Sequence, residues 1–190
     1  SYIKRKEVEG ASALSGITDL LLFLIYSSKL EQGKILKEIK KRHFDLVNDY
    51  LGQLPLDIKE YISQSIKELN KLLKRETQEN SFKDEILSYG EKISSYIITQ
   101  FLNLSKINAK QIIASNLIIT DNHFGSAEFL PELTKTKTKK VLLSVIKKGI
   151  VPVITGFIGS TKKGQITTLG RGGSDYTAAI IGYSLSAKEI

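Results

Sequence analysis

Apolar residues recur at intervals of three and four positions over much of the chain, a spacing that predicts amphipathic helices. The most regular pattern covers Phe82–Leu104. Its predicted buried stripe consists of Ile86, Gly90, Ile93, Ile97, Phe101 and Leu104. Further helices are predicted after Ile17, twice within Gly33–Arg75, and over Lys139–Lys148, where Gly149 ends the pattern. The first hundred residues are therefore predicted to be mainly helical.

Short runs of β-branched residues predict strands in the second half of the chain. They lie at Lys110–Ala114, Leu117–Thr120 and Val151–Thr155. A turn is expected at Ser115-Asn116, and a loop over Asp121–Ala127. Strands that alternate with helices are typical of an α/β protein, in which helices cover both faces of a sheet. We expect one α/β domain over residues 1–190, with residues 33–80 as an inserted helical subdomain beside the cleft.

The stretch Val151–Ala179 combines a strand, a glycine-rich loop and a helix, with six glycines between positions 156 and 173. Ser174 and Asp175 are favourable N-cap residues for a helix over Tyr176–Ser186. Glycine lets a backbone approach a ligand closely, and a helix N-terminus offers free N–H groups to an anion. Arg171 adds a guanidinium that can hold a carboxylate or phosphate through two hydrogen bonds. The stretch is a candidate anion site, although this glycine spacing alone is equally typical of a mobile hairpin.

Composition limits the class of protein. The chain has 190 residues, of which 41% are hydrophobic and 25% charged, as in an ordinary globular domain with one sizeable core. No apolar run approaches the roughly 18 residues that a membrane span needs. There is no cysteine, which excludes disulfides and thiol chemistry. We therefore expect a cytoplasmic protein that does not enter a membrane.

The net charge of +8 raises the question of nucleic-acid binding. The densest basic cluster alternates with threonine and lacks aromatic residues on which bases could stack. It consists of Lys135, Lys137, Lys139 and Lys140. A solvated helix face, without a nucleic-acid partner, is the expected role. His43 falls on an apolar helix face, and two isolated histidines have no metal-ligand spacing, so no metal site is predicted.

Four segments resemble motifs of the aspartokinase (aspartate kinase) family. GFIG at 156–159 and the eleven consecutive residues LGRGGSDYTAA at 169–179 are similar to the signature of that family. SALSGITD at 12–19 is similar to its S-A-x-S-G-x-T-D motif, and SYGEKIS at 88–94 to its SxGE[RK]xS motif. The eleven-residue match is specific because it is contiguous rather than a spaced pattern.

The resemblance implies an amino-acid kinase (carbamate kinase-like) fold, with a central, mostly parallel sheet. It also implies an enzyme that transfers the γ-phosphoryl group of ATP to the side-chain carboxylate of L-aspartate. The product would be 4-phospho-L-aspartate, in the first step of lysine, threonine and methionine biosynthesis. The implied ligands are L-aspartate, ATP and Mg²⁺, and the implied assembly is a homo-oligomer.

The resemblance also implies roles for individual residues. Arg171 and Asp175 would be the catalytic residues, with Arg171 on the substrate α-carboxylate and Asp175 near the transferring phosphoryl group. Glu91 would face the substrate ammonium group. The other implied substrate-binding residues are Ser12, Thr18, Phe157, Gly172 and Ser174.

Two segments of the family pattern do not occur in this sequence. They are the K-F-G-G-[TS] strand and the W-T-D-x-x-G segment that cradles the nucleotide, so the ATP-binding residues are not identified. The chain has no methionine, which predicts a processed, excised or incomplete chain. Two alternatives stay open: another amino-acid kinase, acting on glutamate, acetylglutamate or a nucleotide, and a kinase-like subunit that binds small molecules without catalysis. The contiguous GRGGSDYTAA motif favours the aspartate kinase over the first alternative.

Residues Ser160–Thr168 connect the GFIG and LGRGG motifs. They contain Lys162, Lys163 and Gly164, and Ile166 is their single apolar anchor. Because so little apolar surface cannot offset the entropy of ordering, we predict this segment to be the most mobile between strand and helix. We expect it to close over bound substrates, with an ordinary exposed hairpin as the alternative.

Overall fold

The computed structural model describes residues 8–75 and 80–189. Its helices in these ranges are α1 (Ile17–Tyr26), α2 (Lys29–Leu51), α3 (Leu56–Leu72), α4 (Phe82–Leu104), α5 (Pro131–Ile146) and α6 (Gly173–Leu185). Its strands there are β1 (Glu9–Ala11), β2 (Ala109–Ile112), β3 (Ile119–Thr120), β4 (Val151–Thr155), β5 (Ile158–Thr161) and β6 (Ile166–Thr168). Within these ranges, no helix has the length and apolar character that crossing a membrane requires.

The described strands form two small sheets, one parallel and one mixed. In the first, β4 lies between β1 and β2 and is parallel to both. In the second, β5 is parallel to β3 and antiparallel to β6. Successive residues of a strand point to opposite faces, and β4 shows this directly. Val153 packs towards α4, while Ile154 packs in a cluster with residues of α5 and α6. The predicted α/β class, with helices on both faces of a mostly parallel sheet, is confirmed.

Helices α1 to α4 share an apolar cluster of their own. It includes Ile17 and Leu21 of α1, Ile39 of α2, Leu69 of α3 and Ile86 of α4, all at most 1% exposed. His43 of α2 is fully buried, and its Nδ1 lies 2.8 Å from the carbonyl oxygen of Ile39. The predicted role of His43 as a packed structural residue is confirmed. The division of residues 33–80 into a subdomain stays a prediction, and residues 76–79 at its end lie outside the described part.

Helix α5 begins eight residues before the predicted start at Lys139. The reason is that Thr134 and Thr138, which look polar in the sequence, are both fully buried. The Oγ1 of Thr134 donates to the carbonyl oxygen of Ile119 and accepts the N–H of the same residue, at 3.1 and 3.0 Å. The paired hydroxyl lets threonine occupy a core position that an apolar pattern alone does not reveal.

The two predicted strands on either side of Ser115-Asn116 are present as β2 and β3, each shorter than its predicted run, and the predicted turn is part of a 3-10 helix at Ala114–Asn116. The two strands belong to different sheets. One local prediction is wrong. Ser174 and Asp175 are not N-caps of the last helix. Helix α6 already begins at Gly173, and the capping position is taken by Gly172 in the left-handed conformation with φ of 74°.

The predicted unanchored segment at Ser160–Thr168 is instead a hairpin of β5 and β6. Its polar strand residues are buried, with Ser160 and Thr161 at 5% and 7% exposure. Hydrogen bonds replace apolar anchoring. The Ser160 hydroxyl donates to the carbonyl oxygen of Ser115 at 2.6 Å, and the Oγ1 atoms of Thr120 and Thr167 lie 2.8 Å apart. The tip, residues 162–164, is exposed.

Candidate active site

The candidate site lies at the edge of the first sheet where β1 and β4 end. The two strands are parallel, and their last residues, Ala11 and Thr155, are paired. The N–H of Gly156 donates to the carbonyl oxygen of Ala11 at 2.7 Å, so the pairing continues for one more residue. Ser12 and Phe157 therefore leave the sheet at the same edge. In α/β sheets of this kind, ligands bind outside the carboxyl ends of the strands.

The start of α6 packs so closely against the end of β4 that the glycines at the contact have no room for a side chain. A Cβ atom built on Gly156 would lie 2.6 Å from the Oγ of Ser174, and one built on Gly173 would lie 2.8 Å from the ring of Phe157. The Oγ1 of Thr177 accepts the N–H of Phe157 at 3.0 Å. The N-terminus of α6 is thus fixed beside the strand ends.

Phe157 has an unusual backbone conformation for a residue other than glycine, with φ of 66°. Such conformations cost about 1–3 kcal/mol and persist only where surrounding contacts enforce them. Here both backbone groups of Phe157 are bonded, because its N–H meets Thr177 and its carbonyl oxygen accepts the N–H of Leu169 at 2.8 Å. The half-buried ring is thereby oriented at the sheet edge.

Arg171 lies in the turn that joins β6 to α6, and its neighbours Gly170 and Gly172 both have positive φ, of 78° and 74°. The side chain of Arg171 is exposed. A Cβ atom on Gly172 would meet nothing within 4 Å, so the backbone of this turn is open on that side. Asp175, in the first turn of α6, is also exposed. The backbone positions of both residues are set by the turn and the helix.

Glu91 of α4 is a buried carboxyl group, with 4% of its surface exposed. Helix α4 approaches the chain after β1 closely, since a Cβ atom on the preceding Gly90 would lie 2.9 Å from the Cβ of Ala13. Burial raises the pKa of Glu91 to about 7, and a hydrogen bond from the N–H of Ala13 opposes this rise. Among the described residues, the Oε2 of Glu91 has no hydrogen-bond partner. A cationic group would satisfy this oxygen and favour the ionised carboxylate.

The structure brings most of the predicted site residues to one edge. Glu91 lies at this edge because its carboxyl group accepts a hydrogen bond from Ala13, the neighbour of Ser12. Ser174 lies there because its side chain packs against Gly156. Thr18 lies in the first turn of α1 and is half buried.

Asp84 is a residue of this region that the sequence did not single out. It is buried on α4, and its carboxyl group accepts the N–H of Gly125, in a loop, and the N–H of Thr168, the last residue of β6 before the turn that carries Arg171. The one signal in the sequence is its position two helical turns before Glu91, on the same face of α4.

Comparison with known proteins assigns the class of this chain. Residues 15–190 match the amino acid kinase family, and the chain belongs to that family. Within it, the chain is similar to aspartokinases, so the resemblance drawn from the motifs is confirmed. It is 32% identical to lysine-sensitive aspartokinase 3 of Escherichia coli K12 over 188 residues, a match that covers 94% of this chain and 40% of that protein.

Two solved structures show the same relationship. The structure of E. coli aspartokinase III in complex with aspartate and ADP matches with a TM-score of 0.86 at 31% identity, over 94% of this chain and 40% of that one. Clostridium acetobutylicum aspartate kinase matches with a TM-score of 0.68 at 28% identity, over 90% of this chain and 35% of that one. The chain spans about two fifths of the length of these relatives.

Proposed function

We propose that this chain carries the amino-acid site of an aspartate kinase, which transfers the γ-phosphoryl group of ATP to the side-chain carboxylate of L-aspartate. The observation that carries the proposal is the buried carboxyl group of Glu91, whose Oε2 lacks a partner among the described residues. Family membership and the similarity to aspartokinases support the same conclusion.

Aspartate presents an α-ammonium, an α-carboxylate and a side-chain carboxylate, and the proposed site offers a group to each. Glu91 takes the ammonium, and Arg171 takes the α-carboxylate through two charge-assisted hydrogen bonds. The hydroxyl groups of Ser12, Thr18 and Ser174 complete the contacts, and Phe157 forms a wall of the cleft. The side-chain carboxylate is left to react.

The reaction needs little proton transfer. A side-chain carboxylate is already ionised near neutral pH, so it can attack the γ-phosphorus without a general base. Positioning and charge neutralisation then account for most of the barrier reduction. In this proposal Asp175 orients donors or metal near the phosphoryl group and is not a base.

In this proposal the transferring phosphoryl group lies near the start of α6. The backbone is open at Gly172, where a Cβ atom would meet nothing within 4 Å, and the carboxylate of Asp175 is exposed beside it. Mg²⁺, when bound with ATP, neutralises charge on the triphosphate. Asp175 is the residue that would hold it. A cytoplasmic location, a homo-oligomeric assembly and the first step of lysine, threonine and methionine biosynthesis belong to the same proposal.

Calorimetric titration of the full-length protein, from the gene that encodes this chain, tests the proposal. L-aspartate should bind, while N-acetyl-L-glutamate, which lacks an ammonium, should bind at least about tenfold more weakly. ATP-dependent formation of an acyl phosphate, trapped with hydroxylamine, should follow with aspartate. Glu91→Gln should weaken aspartate binding, and Glu60→Gln, a matched change at an exposed position of α3, should not.

Three results would contradict parts of the proposal. Preference for glutamate or acetylglutamate would indicate another amino-acid kinase. Aspartate binding without an acyl phosphate would indicate a subunit that binds without catalysis. If Glu91→Gln binds aspartate as well as its parent does, the role given to Glu91 is wrong.

A further inference from the structure

Asp84 is a carboxylate in the protein interior, with 1% of its surface exposed. It lies in the first turn of α4. Its Oδ2 accepts the N–H of Gly125 at 2.9 Å and the N–H of Thr168 at 2.8 Å. Burial raises the pKa of this carboxyl group, and the hydrogen bonds oppose the rise. One buried carboxyl group therefore joins a helix to two segments that are distant from it in the chain.

The two segments that Asp84 joins also contact each other. The N–H of Ala127 donates to the carbonyl oxygen of Thr168 at 2.9 Å. A Cβ atom on Gly170 would lie 3.5 Å from the carbonyl oxygen of Gly125, so the two backbones run in van der Waals contact. Thr168 is the last residue of β6, and the turn that carries Arg171 follows immediately. Asp84 is thus bonded to the base of that turn.

Helix α4 carries Asp84 and Glu91 seven residues apart, which is about two helical turns or 10 Å along the axis. A single helix therefore carries the carboxyl group of Glu91 and also, through Asp84, holds Thr168, after which the turn with Arg171 begins. We propose that Asp84 is a positioning residue that sets the distance between Arg171 and Glu91, and so fits the pair to the α-carboxylate and α-ammonium groups that an α-amino acid carries on one carbon. This inference rests on the proposed function.

The structural alternative is that Asp84 only stabilises the fold. The two roles differ in what they predict for ligands. A purely stabilising residue would affect aspartate and ATP alike, through the fraction of folded protein. A positioning residue acts on the α-carboxylate through Arg171, so its effect should depend on the presence of the guanidinium.

The test is a double-mutant cycle in the full-length protein, read as dissociation constants for aspartate and for ATP. Asp84→Ala should weaken aspartate binding about tenfold or more and change ATP binding by less than about twofold. In an Arg171→Lys background the same change should weaken aspartate binding by only about threefold, because contacts that act as a unit are not additive. Asp84→Asn keeps an oxygen that can accept both N–H groups and should restore most of the affinity.

A matched control lies on the same helix. Thr99 is buried at 3% exposure, and its hydroxyl donates to the carbonyl oxygen of Ser95 at 2.7 Å. Thr99→Val removes a buried hydrogen bond far from the turn and should leave both dissociation constants unchanged. If Asp84→Ala is not recovered as folded protein, Asp84→Ser replaces it, since the shorter hydroxyl cannot reach both N–H groups.

Additive effects of Asp84 and Arg171 would overturn the inference, as would equal weakening of aspartate and ATP. Neither result would contradict the proposed function if the parent protein binds and phosphorylates aspartate. If the parent protein does not bind aspartate, the proposed function fails first, and the positioning role of Asp84 fails with it.

Discussion

The carboxyl group of Glu91 on α4 accepts a hydrogen bond from the backbone N–H of Ala13, two residues beyond the end of β1. This contact places a titratable group at the sheet edge in an environment that penalises its charge. Glu91 therefore affects both the stability of the fold and the binding of a cation, in opposite directions.

The first prediction concerns stability and pH. The pKa of Glu91 rises from an ordinary 4.5 to about 7 on folding, so the folded state binds the proton more tightly. The stability that protonated Glu91 contributes is fully present below pH 4.5 and is lost as the pH rises through 7. Each unit by which the folded and unfolded pKa values differ corresponds to about 1.4 kcal/mol in the free energy of unfolding. Glu91→Gln, which does not titrate, should gain stability relative to its parent between pH 5 and pH 8.

Urea denaturation at pH 5 and pH 8 measures this gain. The exposed Glu60→Gln variant provides the control and should show no such difference between the two pH values. A Glu91→Gln variant whose stability runs parallel to that of its parent at both pH values would show that the pKa of Glu91 is not raised.

The second prediction concerns protons released on binding. An ammonium beside Glu91 favours the ionised form and lowers the pKa of the carboxyl group, so aspartate binding near pH 6.5 should release a proton. Calorimetry in phosphate and in Tris, which differ in ionisation enthalpy, measures the number released. Glu91→Gln should abolish the difference between the buffers. If it persists unchanged, the proton comes from another group.

The third prediction concerns Arg171. Arg171→Lys removes the second hydrogen bond to the α-carboxylate, a loss of about 1.5–3 kcal/mol for a charge-assisted contact. Aspartate binding should weaken about tenfold to a hundredfold, with ATP binding little changed. Arg75→Lys is the control, since Arg75 pairs with Glu85 at the surface and should not affect aspartate. Equal weakening of aspartate and ATP would contradict the role of Arg171.

The fourth prediction concerns the contact between β4 and α6. A Cβ atom on Gly156 would lie 2.6 Å from the Oγ of Ser174 and 3.0 Å from the carbonyl oxygen of Ala11, which is backbone and cannot rotate away. Overpacking of this kind costs about 1–3 kcal/mol, so Gly156→Ala should lower the free energy of unfolding by that amount. Gly10→Ala in β1 meets nothing within 4 Å and serves as the control. Equal stability of the two variants in urea denaturation would show that the strand and helix can separate.

Much of the fold could be predicted because apolar spacing alone determines it. Helix α4 matches its predicted bounds of Phe82–Leu104, and β4 matches Val151–Thr155. The predicted buried stripe of α4 is right from Ile86 to Ile97 and wrong at its end, where Leu104 is 58% exposed. The start of α5 could not be predicted, because Thr134 and Thr138 are buried although they are polar, and the bonds that pair the Thr134 hydroxyl with Ile119 exist only in the tertiary structure. Polar residues in a core carry no periodic signal.

The candidate site, like the fold, could be predicted from the sequence only in part. Contiguous motifs identified Glu91 and the Gly172–Ser174 segment, and the structure places them at one edge. Asp84 could not be found from the pattern, because its partners are backbone N–H groups of residues 125 and 168, which are remote in the sequence. Side-chain types do not indicate which backbone groups lack a partner.

The fifth prediction concerns the β5–β6 hairpin. The N–H of Ser160 donates to the carbonyl oxygen of Ile118, and that of Thr168 to Asp84, so both amide hydrogens should exchange slowly even without ligand. The exposed residues Lys162 and Lys163 at the tip should exchange fast.

If the hairpin closes over substrates, the tip should gain protection when aspartate and nucleotide are both present, while Ser160 and Thr168 change little. Hydrogen exchange of the full-length protein, with and without these ligands, measures this. If the tip gains no protection, it does not close over substrates. Fast exchange at Ser160 would show that hydrogen bonds do not anchor the polar strands.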